Sequence, residues 1–360
     1  MISREDRQLT SGKLSFTIIF MIVVRAPMRI GFVGGGTDLP DFYHRYPGQV
    51  ISATIDKFVH VVINRTPLVD KISARYSIAE TVDSPNELQH TRIKAALLDL
   101  GIDKGLEIAS FATLPVKTGL GSSSSFSVAL MKALNAYLGK KLDKYEAAEA
   151  AARLEIQLVG EPIGKQDQYA ASFGGLNMFK FNKDDSVEVK PILLDYRKRL
   201  DLENHILLFF TGITRAASSV LTEQKSNIDK KFQTLKEMAD SIPEFSAMLL
   251  EGDFRSLGEM LHDGWLKKKT LASNVSNQTI DKLYDAGMRS GAWGGKVTGA
   301  GGGGCVMFIS PVEKKAAVRD AVARAAKEHD LKEFKEIPIH FVQSGAEILY
   351  NGDQLPTTLA

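Results

Sequence analysis

At 360 residues the chain has room for two domains of ordinary size, and its 44% apolar and 24% charged content excludes disorder as the main state. A formal net charge of +2 at pH 7, from 45 Lys and Arg against 43 Asp and Glu, leaves no basic surplus for a nucleic-acid partner. The single cysteine, Cys305, excludes an internal disulfide or a cysteine-built metal site and suits a reducing compartment such as the cytoplasm.

In chain order, the apolar run LSFTIIFMIVV (14–24) is too short for a membrane-spanning helix, which needs about 20 residues. It follows Arg4, Arg7 and Lys13 as a signal peptide would, but no small-residue cleavage site comes after it. A first strand beginning near Ile22 is expected instead, with residues 1–21 as a leader or as sequence ahead of an alternative start at Met21, and with no membrane partner. QVISATIDKFVHVVINRT (49–66) alternates and is rich in Val and Ile, which predicts strands. Residues 87–100 read as a helix with Leu88, Ile93, Ala96, Leu97 and Leu100 on its apolar face.

A further helix begins inside the serine run of LPVKTGLGSSSSFSVALMKAL (114–134), since Phe126, Leu130, Leu134 and Leu138 recur every four residues. Asp143 and Glu146 have capping-box spacing for the next helix, which stops at Gly160. Glu155 falls on its apolar face, where a carboxylate calls for a cation. Residues 176–181 and 206–210 then read as a strand pair, and about 222 to 291 as helices. A strand ends the segment 294–310, and a helix (313–328) and a strand (337–342) follow. No linker marks a boundary, so two lobes are expected to meet within 190–215.

Four glycine-bearing segments carry the chemistry. In TGLGSSSS (118–125), glycines let backbone approach a ligand and the helix mouth offers free N–H groups with a positive dipole end. This is the logic of a phosphate cradle, although no GK[ST] of a Walker A motif follows; a glycine turn with a serine N-cap is the plainer alternative. In GEPIGKQDQYAASFGG (160–175), Asp167 suits a general base for a hydroxyl that attacks a phosphoryl group, or merely a turn. Glu155 lies twelve residues upstream, so one acid could hold Mg²⁺ while the other faces the substrate, and a cation is implied if the two converge. In RIGFVGGGTDLP (29–40), Asp38 suits paired sugar hydroxyls or a helix cap. TGAGGGG (298–304) is dense enough in glycine to imply close packing on another loop or a ligand, or a hinge.

Together and in order, RAPMRIGFVGGGTD, LPVKTGLGSSSSFSVAL and KVTGAGGGGCVMF, with GKQDQ between the second and third, resemble the motifs of the GHMP small-molecule kinases. The likeness runs from about residue 23 to 350. It implies a two-lobed α+β fold, with a ribosomal-protein-like α/β domain (22–200) and a ferredoxin-like α+β domain (201–360), and ATP with its acceptor in the cleft. It implies Asp167 and Arg29 as the catalytic pair, and Lys117, Gly119, Leu120, Gly121, Ser122, Ser123, Ser124, Gly301 and Gly302 as ATP contacts. Ser123 and Glu155 would hold Mg²⁺, and Gly35, Gly36, Thr37, Asp38 and Gly175 would meet the acceptor.

Gly35 and Gly36 stand where galactokinases carry an acid and a histidine, which turns the expectation away from galactose. GGGTD with GEPIGKQDQYAASFGG is closer to the branch of heptose 7-phosphate kinases and fucokinases. That branch implies phosphorylation of the anomeric C1 hydroxyl of D-glycero-D-manno-heptose 7-phosphate; a free-sugar 1-kinase and a non-catalytic ATP and sugar sensor are the alternatives. The partner would be a small-molecule sugar or sugar phosphate, and a homodimer is left open. A sugar phosphate needs an added anion site, for which Lys165, Arg215 and the lysines at 267–269 are candidates. Arg215 is preferred for its forked guanidinium, and Lys269 is expected on a solvated face.

Overall fold

The computed structural model describes residues 21–352 apart from 67, 116, 215 and 216. The expected leader and Arg215 therefore lie outside the described residues. In chain order the strands are β1 Met21–Val33, β2 Gly48–Arg65, β3 Ile72–Arg75, β4 Ala79–Val82, β5 Leu106–Ala112, β6 Leu176–Phe181, β7 Val187–Pro191, β8 Ile206–Phe210, β9 Gly294–Val297, β10 Cys305–Ile309, β11 Lys335–Glu336 and β12 Glu347–Asn351. The helices are α1 Pro40–Tyr43, α2 Thr91–Leu100, α3 Ser122–Tyr137, α4 Lys144–Ala152, α5 Gln166–Phe173, α6 Tyr196–His205, α7 Ala217–Ser226, α8 Ile228–Asp240, α9 Ile242–Glu251, α10 Phe254–Lys269, α11 Gln278–Arg289 and α12 Lys315–Glu328.

The β-branched run 49–66 forms one strand rather than several, and β2 extends roughly 60 Å at the usual rise per residue. One edge of β2 pairs antiparallel with β1. Its other edge is shared, first by β6 (Gly48↔Phe181 to Ala53↔Leu176) and then by β5 (Val59↔Ala112 to Arg65↔Leu106), so the eight-stranded sheet forks. The second sheet has the order β11-β8-β10-β9 and is antiparallel throughout. Its side chains divide with period two: Leu207, Phe209, Val306 and Phe308 pack with α11 and α12, while Leu208, Met307 and Ile309 join the core of the first sheet.

Two expectations are corrected by the strands. Residues 176–181 and 206–210 are strands of different sheets and do not pair with each other. Residues 337–342 alternate in burial but form no strand. They cross from one sheet to the other, with Ile337 N–H donating to Leu208 O and Val342 N–H to Thr54 O, so neither ladder runs on. The only strand-like contact of this stretch is the bridge Ile55↔Phe341. Strands β1–β7 and β8–β11 belong to different sheets, β12 returns to pair with β1, and one apolar core joins Ile22 and Ile30 to Leu208, Leu257 and Met307.

The expected capping box forms, Glu146 N–H donating to Asp143 and Asp143 N–H to Glu146, both at 2.8 Å. After Ala152 the helix widens into a π-helical turn, Arg153–Leu158, a form that recurs at functional sites. Phe126, Leu130 and Leu134 are buried as expected, while Leu138 is exposed. Val128 packs on the other side of α3 against Ala147, Ala151 and Ala171, which locks the helix between the sheet and α4–α5.

Cys305 is fully buried on β10, and burial pushes its thiol well above the ordinary range. With the thiolate disfavoured and covered, a disulfide reagent is expected to label no cysteine in the native chain and one per chain in denaturant. Labelling of the folded protein within minutes would contradict this packing.

Candidate active site

Strand β1 is covered on both faces from Ala26 to Ile30, and Arg29 sits within that stretch at 4% exposure. A charge so placed needs a partner. Asp167, in the first turn of α5, supplies it in bidentate form: Arg29 Nε donates to Oδ1 at 2.8 Å and Nη2 to Oδ2 at 2.7 Å. The third donor, Nη1, meets Gly119 O at 2.7 Å, and the Arg29 amide donates to Leu120 O at 2.9 Å. One arginine thus joins the glycine loop to the acid. The Asp167 side chain remains 24% exposed and is open to a ligand.

The loop ends in Gly121, which caps α3 in the left-handed region at φ 75°. A Cβ there would stand 3.2 Å from Arg29 Cγ. First-turn amides of a helix lack intrahelical acceptors, and no side chain caps those of α3. The serine N-cap alternative is therefore not what forms. The amides of Ser122, Ser123 and Ser124, in the first turn of α3, lie at a positive dipole end and have no acceptor among the described residues, the arrangement that receives a phosphate.

The glycine-dense loop 298–304 packs directly on this one. A Cβ on Gly119 would lie 2.6 Å from Thr298 O, one on Gly299 2.7 Å from Gly119 Cα, and Cys305 N–H donates to Thr118 O at 3.0 Å. Gly301 and Gly302 face Val275 instead, Gly302 N–H donating to Val275 O at 2.7 Å. Leu120 is fully buried and packs in the core, leaving only its backbone at the loop, and Lys117 is exposed in a left-handed conformation at φ 65°.

Asp38 is 2% exposed and does not cap a helix; α1 is capped by Leu39. Its Oδ1 accepts from Gln166 Nε2 at 2.8 Å and Gly36 N–H at 3.2 Å, and its Oδ2 from Gln166 N–H at 3.3 Å. Burial raises its pKa, and the charge of Asp167 raises it further. Gly36 and Asp38 thereby come to the start of α5, one residue from Asp167. Thr37 does not offer its hydroxyl: Oγ1 donates to Gly34 O at 2.8 Å and accepts from Gln49 N–H at 3.0 Å. Gly35 lines a cavity shared with Trp265 and Lys268 of α10. Gly175 is set apart from this cluster, because its N–H and carbonyl are both spent on Thr54.

Glu155 and Asp167 do not share one cation. Each has its own guanidinium. Arg92 Nε donates to Glu155 Oε1 at 3.0 Å and its Nη2 to Glu161 Oε1 at 2.6 Å. Glu155 Oε2 accepts from the Ser124 hydroxyl at 2.8 Å, and Ser123, the residue expected with Glu155 at Mg²⁺, lies about 100° away around the helix. Gln168 Nε2 also donates to Oε2, while Gln168 Oε1 is buried without a partner among the described residues. Hard oxygen donors and an orphaned carbonyl oxygen are the chemistry Mg²⁺ takes, so the residues fit that ion, with Arg92 sharing the carboxylate.

Among the lysines, Lys165 pairs with Glu149 at 3.2 Å, Lys267 with Glu237 at 3.0 Å and Lys269 with Asp281 at 2.7 Å. Lys268 alone of the 267–269 run is buried, at 5% exposure. Its signal was in the sequence: Leu257, Leu261, Trp265 and Lys268 fall on one helical face. Arg92 and Lys296 were not foreseen; the only trace of Arg92 was the demand of Glu155 for a cation.

Two family profiles match the chain, one described as the GHMP kinases N terminal domain over residues 89–175 and one as GHMP kinases C terminal over 245–333. A D-glycero-alpha-D-manno-heptose 7-phosphate kinase of Campylobacter jejuni is 29% identical over 310 residues, covering 82% of this chain and 91% of that protein. The crystal structure of a D-glycero-D-manno-heptose 1-phosphate kinase from Bacteroides thetaiotaomicron is similar at TM-score 0.75 and 26% identity, covering 91% of this chain and 99% of that one. The fold is also that of Lactococcus lactis galactokinase complexed with galactose, at TM-score 0.72 and 20% identity over 91% of this chain and 95% of that one.

Proposed function

Since this chain belongs to the GHMP kinases and is a phosphotransferase with a hydroxyl acceptor, we propose that it transfers the γ-phosphoryl group of ATP to the anomeric C1 hydroxyl of D-glycero-D-manno-heptose 7-phosphate. The product is the 1,7-bisphosphate, a precursor for nucleotide activation of the heptose. Support for the acceptor comes from the name of the Campylobacter relative, a heptose 7-phosphate kinase, and for a heptose phosphate more broadly from the Bacteroides protein, named a heptose 1-phosphate kinase. Support for the chemistry comes above all from one observation: a partly exposed carboxylate, Asp167, is tied through Arg29 to the glycine loop at the mouth of α3.

Asp167 takes the proton of the C1 hydroxyl as the oxygen bonds to the γ-phosphorus and the bond to the ADP oxygen breaks. Anomeric hydroxyls are more acidic than ordinary alcohols, so a carboxylate steadied by one guanidinium suffices. The transition state is loose, and catalysis rests on alignment and on neutralising the phosphoryl oxygens. The α3 amides serve the triphosphate, and Asp38 accepts from sugar hydroxyls. When bound, Mg²⁺ neutralises charge on the triphosphate, and Glu155 with the hydroxyls of Ser123 and Ser124 are the donors that would hold it. No described helix is long and apolar enough to cross a membrane, and with a single buried thiol we place the enzyme in the cytoplasm.

Incubation with Mg·ATP and a panel of free sugars and sugar phosphates, read by phosphorus NMR, tests the reading. A new anomeric phosphate on heptose 7-phosphate is expected; transfer to free sugars alone, or no transfer, overturns it. A finer test concerns Gly164, where a Cβ would collide with the Asp38 carboxylate. Gly164→Ala is expected to raise the acceptor KM by roughly 10- to 100-fold, the range of one hydrogen bond to a charged group. The KM for ATP should move far less, and initial rates at varied acceptor and varied ATP separate the two.

A further inference from the structure

A cavity of about 200 Å³ opens beside Gly34 and Gly35 and runs along α10 past Trp265, Lys268 and Lys296. Ligand pockets usually enclose about 300–1,000 Å³, so this one fits the end of a ligand rather than a nucleotide. Its floor is cationic. Lys268 and Lys296 are 5% and 7% exposed, and among the described residues neither is in an ion pair. Lys268 Nζ donates to Gly299 O; Lys296 Nζ donates to Gly31 O at 2.9 Å and Phe32 O at 2.8 Å. Both ammonium groups therefore rest on carbonyls alone, whereas the partly exposed lysines 165, 267 and 269 each hold a carboxylate.

Neither buried lysine touches a carboxylate of the described residues, and the acids within reach of Lys268, Asp38 and Asp167, are held by Gln166 and Arg29, so an anion in the cavity would stabilise both lysines in their charged form. The acids that line the cavity, Glu244 and Asp263, are exposed and belong to its mouth, where water screens them. Asp263 lies about 7.5 Å along the helix from Lys268. On the other side, Lys268 is within electrostatic reach of Arg29, Asp38 and Asp167, so the cavity adjoins the reaction centre.

We propose that this cavity receives the phosphate-bearing end of the acceptor, and that Lys268 is the residue that selects a phosphorylated sugar over its unphosphorylated counterpart. The proposal rests on the sugar-phosphate reading given above. Burial, and then the charge of Arg29, lower the pKa of Lys268 to about 8, against the opposing pull of Asp38 and Asp167. Burial, Lys268 and Arg29 together hold Lys296 well below its ordinary range. A dianionic phosphate arriving between the two lysines would restore their preference for the charged form.

Steady-state kinetics with heptose 7-phosphate and unphosphorylated heptose test this on the wild type, Lys268→Met and Lys268→Arg. The wild type should prefer the phosphorylated acceptor in kcat/KM. Lys268→Met should erase roughly 10- to 100-fold of that preference through KM, and Lys268→Arg should keep part of it. In the wild type the preference should fall as pH rises through about 8, because the free enzyme loses the Lys268 proton there. The groups facing Lys268 are Arg29, Asp38, Asp167, Lys296 and, at the cavity, Lys267, Glu244 and Asp263; Lys296, whose pKa is also lowered, would act in the same direction when it loses its proton.

A preference that survives Lys268→Met overturns the assignment. Equal losses on both acceptors place the lysine on the transferring phosphoryl group and overturn it too. A wild type that shows no preference refutes the sugar-phosphate reading itself. Should Lys268→Met fail to fold, the wild-type pH profile decides, and a preference that stays flat through that range overturns the proposal.

Discussion

Asp167→Asn is expected to lower kcat on the order of 10²–10⁴-fold, the contribution of a positioned general base, while ATP still binds. The substitution keeps the side chain's shape but removes the proton acceptor. It also converts one of the two Arg29 bonds, 2.8 and 2.7 Å in the native chain, into an N–H facing an N–H. Arg29 keeps its bond to Gly119 O, so the phosphate loop should hold its place and nucleotide affinity with it. A coupled ADP assay gives the turnover, and titration with a fluorescent ATP analogue gives the affinity. Turnover within a few-fold of wild type would remove the base role; lost ATP affinity would show that the acid serves the loop rather than the hydroxyl.

Removing Arg92 should have the largest effect on stability. Glu155 is completely buried and sits in the π-helical turn, with Arg92 its cationic partner at 3.0 Å. Arg92→Met leaves that carboxylate charged and covered, held by the Ser124 hydroxyl and the Gln168 amide. Breaking a buried pair from one side costs about 3–5 kcal/mol, readable as a lower urea midpoint with an unchanged slope. Adding Glu155→Gln removes the stranded charge, so the double variant should be more stable than Arg92→Met alone. A loss below about 1 kcal/mol would place the pair with ordinary surface salt bridges and contradict its burial.

These two arginines show how far the site could be read in advance. Asp167 could be singled out as an acid between glycines, as base or as turn, whereas Arg29 was marked only by the resemblance to the kinase family. The cation for Glu155 was legible only as a requirement, since its donor lies 63 positions away on another helix. That Ser124 rather than Ser123 bonds Glu155 was not legible, because the phase of α3 relative to the π-helical turn decides which hydroxyl faces the acid. Lys268 could have been singled out from its neighbours by its place on the apolar stripe of α10. Nothing near Lys296 marked it, because β9 is a four-residue strand buried throughout.

The sequence alone determined what depends on residues a few positions apart: the capping box at Asp143, the helix start in the serine run, the glycine loops able to pack backbone on backbone, and the residue types for acid, base and phosphate. Tertiary structure decided which charges meet and which are stripped of water. It drew 337–342 between two sheets instead of into one, returned β12 to the first strand, gave Glu155 and Asp167 separate arginines, and buried one lysine of three. Hydrogen bonding along a helix or turn is local, whereas desolvation and ion pairing depend on whatever distant segment covers a side chain, and that is known only once the chain has packed.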